Sequence, residues 1–283
     1  MGEVGDDIIQ GNAGNDTILG GAGNDTIEGN EGDDSILGED GEDLILGGAG
    51  SDIIDGGAGV DIIQGNEGND NIRGGDGDDE IYGNEGVDII YGDEGNDLIN
   101  AGADNDLVFG GIGNDIIYGA AGENSLYGEI GNDYVIGGEN NDTIDGGADD
   151  DVLLGGLGND TITTGIGNDT IIFRSGDGQD TIDETDTITN YSIDEVGDDT
   201  IYLSDLTSKL SDDSTNRVVL TKSGDDLVIQ FKDDSGALTT DQITIKNQLS
   251  GDGEIVKKIE RIIANDNFEN IFCVPRKQML NHH

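Results

Sequence analysis

The sequence predicts an all-β fold, in which a parallel coil of short strands is closed by a small β-rich C-terminal cap. A nine-residue cycle, G-x-x-G-x-D-x-(I/L/V)-x, runs in unbroken register through 19 copies from Gly2 to Ile172. Glycine recurs at positions one and four of the cycle, and position eight is always Ile, Leu or Val. A period this short leaves no room for helices, so the pattern is typical of a solenoid made of strands and turns.

The two glycine positions predict tight turns. Glycine fills position one in 17 copies, except at Ala101 and Thr164, and position four in 16 copies, except at Asp104, Asn140 and Asp149. Glycine takes positive φ without a Cβ clash, as a tight turn requires. Asp and Asn also tolerate the left-handed region, so we expect the turns at these three positions to be kept.

The residues around position eight predict a short strand. In Thr17, Ile18 and Leu19, a run of high β propensity, the middle side chain points to one face and its neighbours point to the other. We therefore expect one turn and one three-residue strand per copy, with two copies to a coil. One such unit cannot bury its apolar residue alone, so stacked neighbours are expected to form a continuous core.

Position six carries a series of carboxylates. It is aspartate in 18 of the copies, and Asn124 is the single departure. If two copies form one coil, equivalent aspartates lie one strand spacing apart, about 4.8 Å. At an effective dielectric constant near 20, each adjacent pair of carboxylates then repels by roughly 3 to 4 kcal/mol. Because the net stability of a domain is only about 5 to 15 kcal/mol, we expect cations between the aspartates.

Ligands that are all oxygen favour a hard cation. Carboxylates and the carbonyl groups of glycine turns suit calcium, which accepts about six to eight oxygens in flexible geometry, better than magnesium, which keeps its waters in a small octahedron. Zinc would need histidine or cysteine, and the chain has only His282 and His283 at its end and Cys273. The sequence therefore predicts calcium as the bound metal and gives the two histidines no role.

The composition excludes several classes of partner. The formal net charge is −51, and Arg73 is the only basic residue among the repeats. Such a field repels the phosphates of nucleic acids and does not suit an anionic membrane surface. No run of about 18 apolar residues occurs, so we expect no membrane insertion by this chain.

The composition changes after Ile172. Glycine becomes rarer, lysine appears, and residues 218–221, 227–231 and 242–245 have the composition of ordinary strands, with a hairpin turn over 223–226. A solenoid needs such an end piece, since its last coil would otherwise expose open backbone groups and an apolar stack.

The predicted organisation therefore has three parts. The repeat array covers residues 2–172, and the C-terminal cap covers residues 173–267. A tail over residues 268–283 breaks the acidic character of the chain, and we expect it to be disordered or not native.

The repeats resemble a known family. Residues 20–28, with the sequence GGAGNDTIE, match at every defined position the consensus G-G-x-G-x-D-x-U-x of the RTX (repeats-in-toxin) calcium-binding nonapeptide array. Residues 2–172 as a whole resemble this array. The segments 173–182, 225–229 and 259–262 resemble the region that follows the repeats in members of the family.

The resemblance implies a right-handed parallel β-roll with two strands per coil, and calcium held in the turns between successive coils on each edge. Carried over residue by residue, the ligands on one edge are Asp7, Asp25, Asp43, Asp61, Asp79, Asp97, Asp115, Asp133, Asp151 and Asp169. The ligands on the other edge are Asp16, Asp34, Asp52, Asp70, Asp88, Asp106, Asp142 and Asp160, with Asn124 in the same series. The gaps between neighbours give about 17 calcium sites. The two gaps beside the uncharged Asn124 have a carboxylate on one side only.

These features together predict a calcium-binding module of a secreted protein. Sites that are absent from the unfolded chain make the free energy of binding part of the free energy of folding. We therefore expect a monomer that folds on meeting extracellular calcium, and the resemblance implies export by a type I secretion system. Because the carboxylates repeat along the whole array instead of marking one unique site, we expect no enzymatic activity in this chain.

Two alternatives stay open. The chain is the non-catalytic C-terminal part of a secreted RTX enzyme of the protease, lipase or alginate epimerase type, or it is a structural or adhesion spacer. An affinity for a polysaccharide or another cell-surface partner would favour the spacer. Some RTX adhesin modules bind ice through rows of Thr at position three. Thr never occurs at that position here, so we do not expect ice binding.

Aromatic residues recur at position nine. Tyr91, Phe109 and Tyr127 are 18 residues apart, which predicts a stack on one outer face in successive coils, with Tyr82 and Tyr118 on the other face. Cross-strand packing explains such a ladder most simply. An exposed ladder can also contact sugar rings or a protein partner.

Overall fold

The computed structural model describes residues 2–174, 176–183, 199–203, 218–223, 226–232, 238–246, 259–264 and 271–273. Every secondary-structure element within these residues is a β-strand, and the strands form two sheets of 13 strands each. Along the repeats, odd-numbered strands join one sheet and even-numbered strands join the other, and neighbours within a sheet run parallel. The predicted all-β parallel solenoid is confirmed.

The first sheet contains, in spatial order, β1 (Ile8–Ala13), β3 (Thr26–Glu31), β5 (Leu44–Ala49), β7 (Ile62–Glu67), β9 (Glu80–Glu85), β11 (Leu98–Ala103), β13 (Ile116–Ala121), β15 (Tyr134–Glu139), β17 (Val152–Leu157), β19 (Thr170–Phe173), β21 (Asp199–Leu203), β25 (Ile259–Ala264) and β26 (Ile271–Cys273). The second sheet contains, in spatial order, β2 (Thr17–Ala22), β4 (Ser35–Asp40), β6 (Ile53–Ala58), β8 (Asn71–Asp76), β10 (Ile89–Glu94), β12 (Leu107–Ile112), β14 (Ser125–Ile130), β16 (Thr143–Ala148), β18 (Thr161–Ile166), β20 (Gln179–Ile182), β24 (Leu238–Ile245), β23 (Asp226–Lys232) and β22 (Val218–Ser223).

The strands of the array are longer than predicted. Each full repeat strand has six residues, as in β2, whereas the sequence predicted three. The difference arises because the parallel ladder continues past the glycine of position one. Gly21 of β2 is in register with Glu39 of β4, and the backbone N–H of Ala22 donates to the carbonyl oxygen of Glu3 at 3.0 Å. Only positions four to six are left to form the turn.

The position-eight residues form the predicted continuous core. They face inward from both sheets and stack in register at intervals of 18 residues, as Ile81, Ile99 and Ile117 do. From Ile27 to Leu153 these side chains are completely buried, and only Ile9 in the first strand is partly exposed. Burial of one apolar side chain per nine residues is thus repeated along the array, which is how a narrow solenoid becomes stable.

The backbone has positive φ at position four, in the turn, and at position two, inside the strand. At position four, Asp104, Asn140 and Asp149 have φ values of 77°, 76° and 82°, which confirms that they replace the turn glycine without loss of its conformation. Position two also has positive φ, even at Ala120 and Glu129. The sequence interpretation left position two undefined, although its frequent Gly and Asn were a signal of this conformation.

Strands beyond the repeats extend both sheets. β20 pairs in parallel with β18, and β21 pairs in parallel with β19. β24 and β25 continue the two sheets by parallel pairing with β20 and β21. The pairing becomes antiparallel only beyond them, in the ladder of β24, β23 and β22 and in the pair of β25 and β26. The core continues through this region in Phe173, Ile182, Ile201, Ile229 and Ile243.

The strands predicted at 218–221, 227–231 and 242–245 correspond to β22, β23 and β24. The centre of the predicted hairpin turn, residues 224–225, lies outside the described residues. Within the predicted tail, Ile271–Cys273 forms β26, and the other tail residues are also outside the described part of the chain. None of the described residues forms a helix long and apolar enough to cross a membrane.

Candidate metal centre

The structure brings the position-six residues into two columns, one along each edge where the turns join the sheets. Asp7 begins the first column and Asp16 the second, and each next member follows 18 residues later. From Asp25 to Asp169, every member is at most 3% exposed. The carboxylates singled out in the sequence are therefore aligned, and all except the first of each column, Asp7 and Asp16, are buried. They do not form a solvated acidic face.

From Asp25 to Asp169, one side-chain oxygen of each column residue is used by the fold itself. Asp25 Oδ1 accepts the backbone N–H of Asp7 at 2.7 Å, and Asp43 Oδ1 accepts that of Asp25 at 2.8 Å. The same bond joins successive coils along both columns, as between Asp79 and Asp97. Each aspartate thus links its own turn to the turn of the preceding coil, which holds the carboxylate in one orientation.

The second carboxylate oxygen has no such partner. Among the described residues, a buried Oδ2 that accepts no hydrogen bond is found at Asp16, Asp25, Asp34, Asp43, Asp52, Asp61, Asp70, Asp79, Asp88, Asp97, Asp106, Asp115, Asp133, Asp142, Asp151 and Asp160. A buried acceptor without a donor is costly, and native proteins contain few of them. A regular series of these oxygens indicates that the fold reserves them for a ligand.

Most of the reserved oxygens point toward a position-one glycine, and Asp106, whose repeat has Ala101 at position one, is an exception. At position one, a Cβ built on Gly20 would lie 2.5 Å from Asp25 Oδ2 and 2.7 Å from the carbonyl oxygen of Gly38 in the next coil of the same column. The same arrangement recurs at Gly110, with Asp115 Oδ2 at 2.5 Å. Glycine at position one therefore keeps open a cradle in which a carboxylate oxygen and a carbonyl oxygen converge.

This arrangement fits a hard cation. Converging carboxylate and carbonyl oxygens without a hydrogen-bond donor are the ligand set that calcium prefers. In the part of the chain that the structure describes, no three His, Cys, Asp or Glu side chains are close enough to hold a metal by themselves. A cation in the columns would therefore be held by aspartates of adjacent coils together with backbone carbonyl groups.

Burial raises the pKa of the column aspartates from Asp43 to Asp160. Desolvation outweighs the backbone N–H bonds that favour ionisation, and the pKa rises to about 6 in Asp61, about 7 in Asp70 and about 8 in Asp151. Charges of neighbouring column members raise these values further. Without a cation, the folded array therefore keeps some of these carboxylates, above all Asp151, protonated at neutral pH.

This shift predicts that acid promotes folding of the calcium-free chain. A carboxylate whose pKa is higher in the folded state stabilises the fold at low pH, and this contribution is lost as the pH rises from about 4 through the folded-state values near 6 to 8. In calcium-depleted buffer, circular dichroism should show more β-structure at about pH 5 than at about pH 8. Saturating calcium should abolish this gain. A β signal that does not increase on acidification would contradict the prediction.

Asn124 interrupts the second column in a defined way. Its Oδ1 accepts the backbone N–H of Asp106 at 2.9 Å, so Nδ2 occupies the place that Oδ2 has in the other members. Nδ2 lies 2.8 Å from the ideal Cβ position of Gly119 and donates to the carbonyl oxygen of Gly122 at 3.4 Å. An N–H donor cannot bind a cation, so the cradle at Gly119 lacks its carboxylate oxygen.

The substitution Asn124→Asp is expected to lower the calcium concentration at which the chain folds and to steepen the transition, because it supplies an oxygen to that cradle. A calcium titration followed by circular dichroism measures both quantities. Asn114→Asp is the matched control, because it makes the same change at an exposed position-five residue. An unchanged midpoint in Asn124→Asp, or an equal shift in both variants, would show that the column does not bind calcium as described.

The sequence interpretation missed one column member. Asp180 is buried, and its Oδ1 accepts the backbone N–H of Asp160 at 3.1 Å, which extends the second column by one step. Asp180 follows Asp160 by 20 residues instead of 18, because the nine-residue register ends at Ile172. The signal was present in Asp180, Thr181 and Ile182, which repeat the D-x-I pattern.

Position five also forms ladders, which the sequence did not predict. The backbone N–H of Asn114 donates to Asn96 Oδ1 at 2.9 Å, and that of Asn132 donates to Asn114 Oδ1 at 2.8 Å. These exposed bonds run in the opposite direction to those of position six. Where they occur, they satisfy the turn N–H beside the aspartate and so help to orient the buried carboxylate.

The family model described as "RTX calcium-binding nonapeptide repeat (4 copies)" matches residues 1–36, 28–63, 55–90, 64–99, 82–117, 91–126, 100–135, 109–144, 136–171 and 145–182. These overlapping matches extend over residues 1–182, well over half of the chain. No curated protein matches this chain.

Two solved structures are similar to it. A hyperactive, Ca2+-dependent, beta-helical antifreeze protein from an Antarctic bacterium is 21% identical over 71% of this chain and 84% of its own, with a TM-score of 0.29. The extracellular lipase LipA from Serratia marcescens is 17% identical over 83% of this chain, with a TM-score of 0.25. The match covers 45% of the lipase.

Proposed function

Because this chain belongs to the family of RTX calcium-binding nonapeptide repeat proteins, we propose that it is a module of a secreted protein that folds when extracellular calcium binds along its two aspartate columns. The buried series of Oδ2 atoms without hydrogen-bond donors carries this proposal. A bound divalent cation offsets the repulsion between the carboxylates of adjacent coils. About 17 ions are proposed, one for each gap between neighbouring position-six residues of the 19 repeats, without the added step from Asp160 to Asp180.

The residues of the chain couple binding to folding. Aspartates of adjacent coils lie 18 or 20 residues apart in sequence and come together only when the coils stack. In the unfolded chain these pairs are not formed, so the cation affinity of the columns belongs to the folded state alone. The same carboxylates oppose folding without a cation, because burial raises the pKa of groups such as Asp115 to about 7.

We propose secretion because the net charge of the chain makes its folding depend on the calcium concentration around it. With a net charge of −51, the chain repels itself and stays extended where calcium is scarce, and its columns can fill where calcium is abundant. This difference suits export of an unfolded chain by a type I secretion system and folding outside the cell. The proposal gives the array itself no catalytic role. If it is part of an enzyme or of an adhesion spacer, the same calcium-dependent folding applies.

The proposal is tested by circular dichroism and by the hydrodynamic radius. Calcium-depleted protein at neutral pH is expected to be expanded and coil-like, and millimolar calcium should produce a cooperative gain of β signal with a smaller radius. Magnesium at the same concentration should do far less, since it holds its waters and requires a small octahedron. Equal β signal with and without calcium would contradict calcium-dependent folding.

A further inference from the structure

The predicted aromatic stack is present on the second sheet. Tyr91, Phe109 and Tyr127 occupy position nine of β10, β12 and β14 and are in register. Their ring centroids are 5.1 Å and 5.0 Å apart, with interplanar angles of 7° and 13°. Because the rings stack face to face along the array, only the two ends of the stack can offer a ring face to another group.

A cation covers the first end. The guanidinium group of Arg73, one strand before Tyr91, lies 5.4 Å from the centroid of the Tyr91 ring. Asp93 holds it with two hydrogen bonds, from Nε at 2.9 Å and from Nη2 at 2.8 Å. This end therefore combines a tyrosine face, a guanidinium group and an acid two residues after the tyrosine.

The other end has the same groups without the cation. Tyr127 is followed two residues later by Glu129, as Tyr91 is followed by Asp93. The next strand carries Asp145 in register with Tyr127. A side chain shorter than a ring at this step leaves a groove of about 320 Å³. The groove is lined by Gly111, Ile112, Tyr127, Glu129, Ile130, Asp145 and Gly147.

The charges in this groove are not balanced by the described residues. Neither Glu129 nor Asp145 forms a hydrogen bond or ion pair through its side chain in the described part of the chain. Burial raises the pKa of Asp145, so a positive charge nearby would favour its ionised form. Ile112 and Ile130, which are 54% and 51% exposed, add apolar surface beside these acids.

We propose that this groove is a binding site for the guanidinium group of an arginine side chain from a protein partner, which would lie against Tyr127 as Arg73 lies against Tyr91. The tyrosine face attracts a weakly hydrated planar cation, and the two carboxylates accept its charge-assisted hydrogen bonds. The apolar stem of arginine matches Ile112 and Ile130. Calcium gains nothing from the ring or the isoleucines, so this site differs in chemistry from the aspartate columns.

The test uses the full chain in saturating calcium, with circular dichroism as the check that each variant is folded. The probes are N-acetyl-arginine amide and its neutral isostere, N-acetyl-citrulline amide, and tyrosine ring signals in NMR spectra report binding. We expect saturable binding of the arginine probe and much weaker binding of the citrulline probe. Tyr127→Leu should weaken the arginine probe by about 2- to 30-fold, the range of a cation–π contact.

Two further variants make the test specific. Glu129→Gln removes one charge at an exposed position and should also weaken the arginine probe, without any change in the ring. Tyr118→Leu, on the other sheet, is the matched control and should leave affinity unchanged. Equal binding of the two probes, no saturable binding of the arginine probe, or an equal loss in Tyr118→Leu and Tyr127→Leu would overturn the proposal. Calcium-dependent folding would stand in each of these cases.

Discussion

A chain that ends at Ile172 is expected to need several-fold more calcium to fold than the full chain, and to associate end to end at high concentration. The cut removes β20 and β21, which pair in parallel with the last two strands of the array. It exposes Ile162 and Ile171, which are buried in the full chain. It also removes Asp180, which accepts the backbone N–H of Asp160. Open strand edges beside an apolar stack favour association.

Calcium titration by circular dichroism, with light scattering on the same samples, measures both effects. A chain ending at Asp183 is the matched control, because it keeps β20 and Asp180 and loses only the strands that follow. It should fold at an intermediate calcium concentration. If the chain ending at Ile172 folds at the same calcium concentration as the full chain and stays monomeric, residues 173–267 do not act as a cap and have a separate role.

The substitution Ile99→Ala is expected to destabilise the calcium-saturated array by about 2 to 5 kcal/mol, the usual cost of a cavity in a packed core. Ile99 is completely buried and stacks between Ile81 and Ile117 of the neighbouring coils. In a linear array, each coil is stabilised mainly by its neighbours, so a defect in the middle weakens the coupling between the two halves. Urea unfolding at saturating calcium should show a lower midpoint and a broader or divided transition.

Ile9→Ala is the control for this prediction. Ile9 occupies the same position in the first strand, where it has a neighbour on one side only and is partly exposed. Its loss should cost clearly less and leave a single transition, because the rest of the array can unfold and refold without it. Equal destabilisation by the two substitutions would contradict the prediction that a residue packed between two coils contributes more stability than one at the end of the array.

Most of the fold could be predicted from the sequence because the period is short and its residue types are chemically specific. An aliphatic residue at every ninth position fixes the inward face, and glycine with positive φ fixes the turns, so Ile27, Ile45 and Ile63 could be placed in one core column. The strand length was wrong, because glycine at position one looks like a turn residue although its backbone belongs to the ladder, as the pairing around Gly21 shows. β propensity is a property of side chains, whereas the length of these strands is set by the backbone hydrogen bonds between neighbouring coils.

The candidate site could be predicted as columns of aspartates, but the different roles of the two oxygens in each carboxylate could not. The sequence shows which carboxylates align, and it does not show that Asp25 uses Oδ1 for a backbone bond and reserves Oδ2. Asp180 was missed because a two-residue insertion breaks the register. The role of position one as an open cradle also depends on a neighbour 18 residues away, Gly38 for Gly20, which becomes visible only when the coils are stacked.

The most direct test of the account counts bound calcium ions and β-structure in the same samples. Equilibrium dialysis with radioactive calcium, followed by circular dichroism of each dialysed sample, gives the ions bound per chain and the folded fraction at each free calcium concentration. The account predicts about 17 ions per folded chain, taken up over the same narrow range in which the β signal appears. A fully formed β signal before calcium is bound, or uptake of only a few ions by the folded chain, would contradict it.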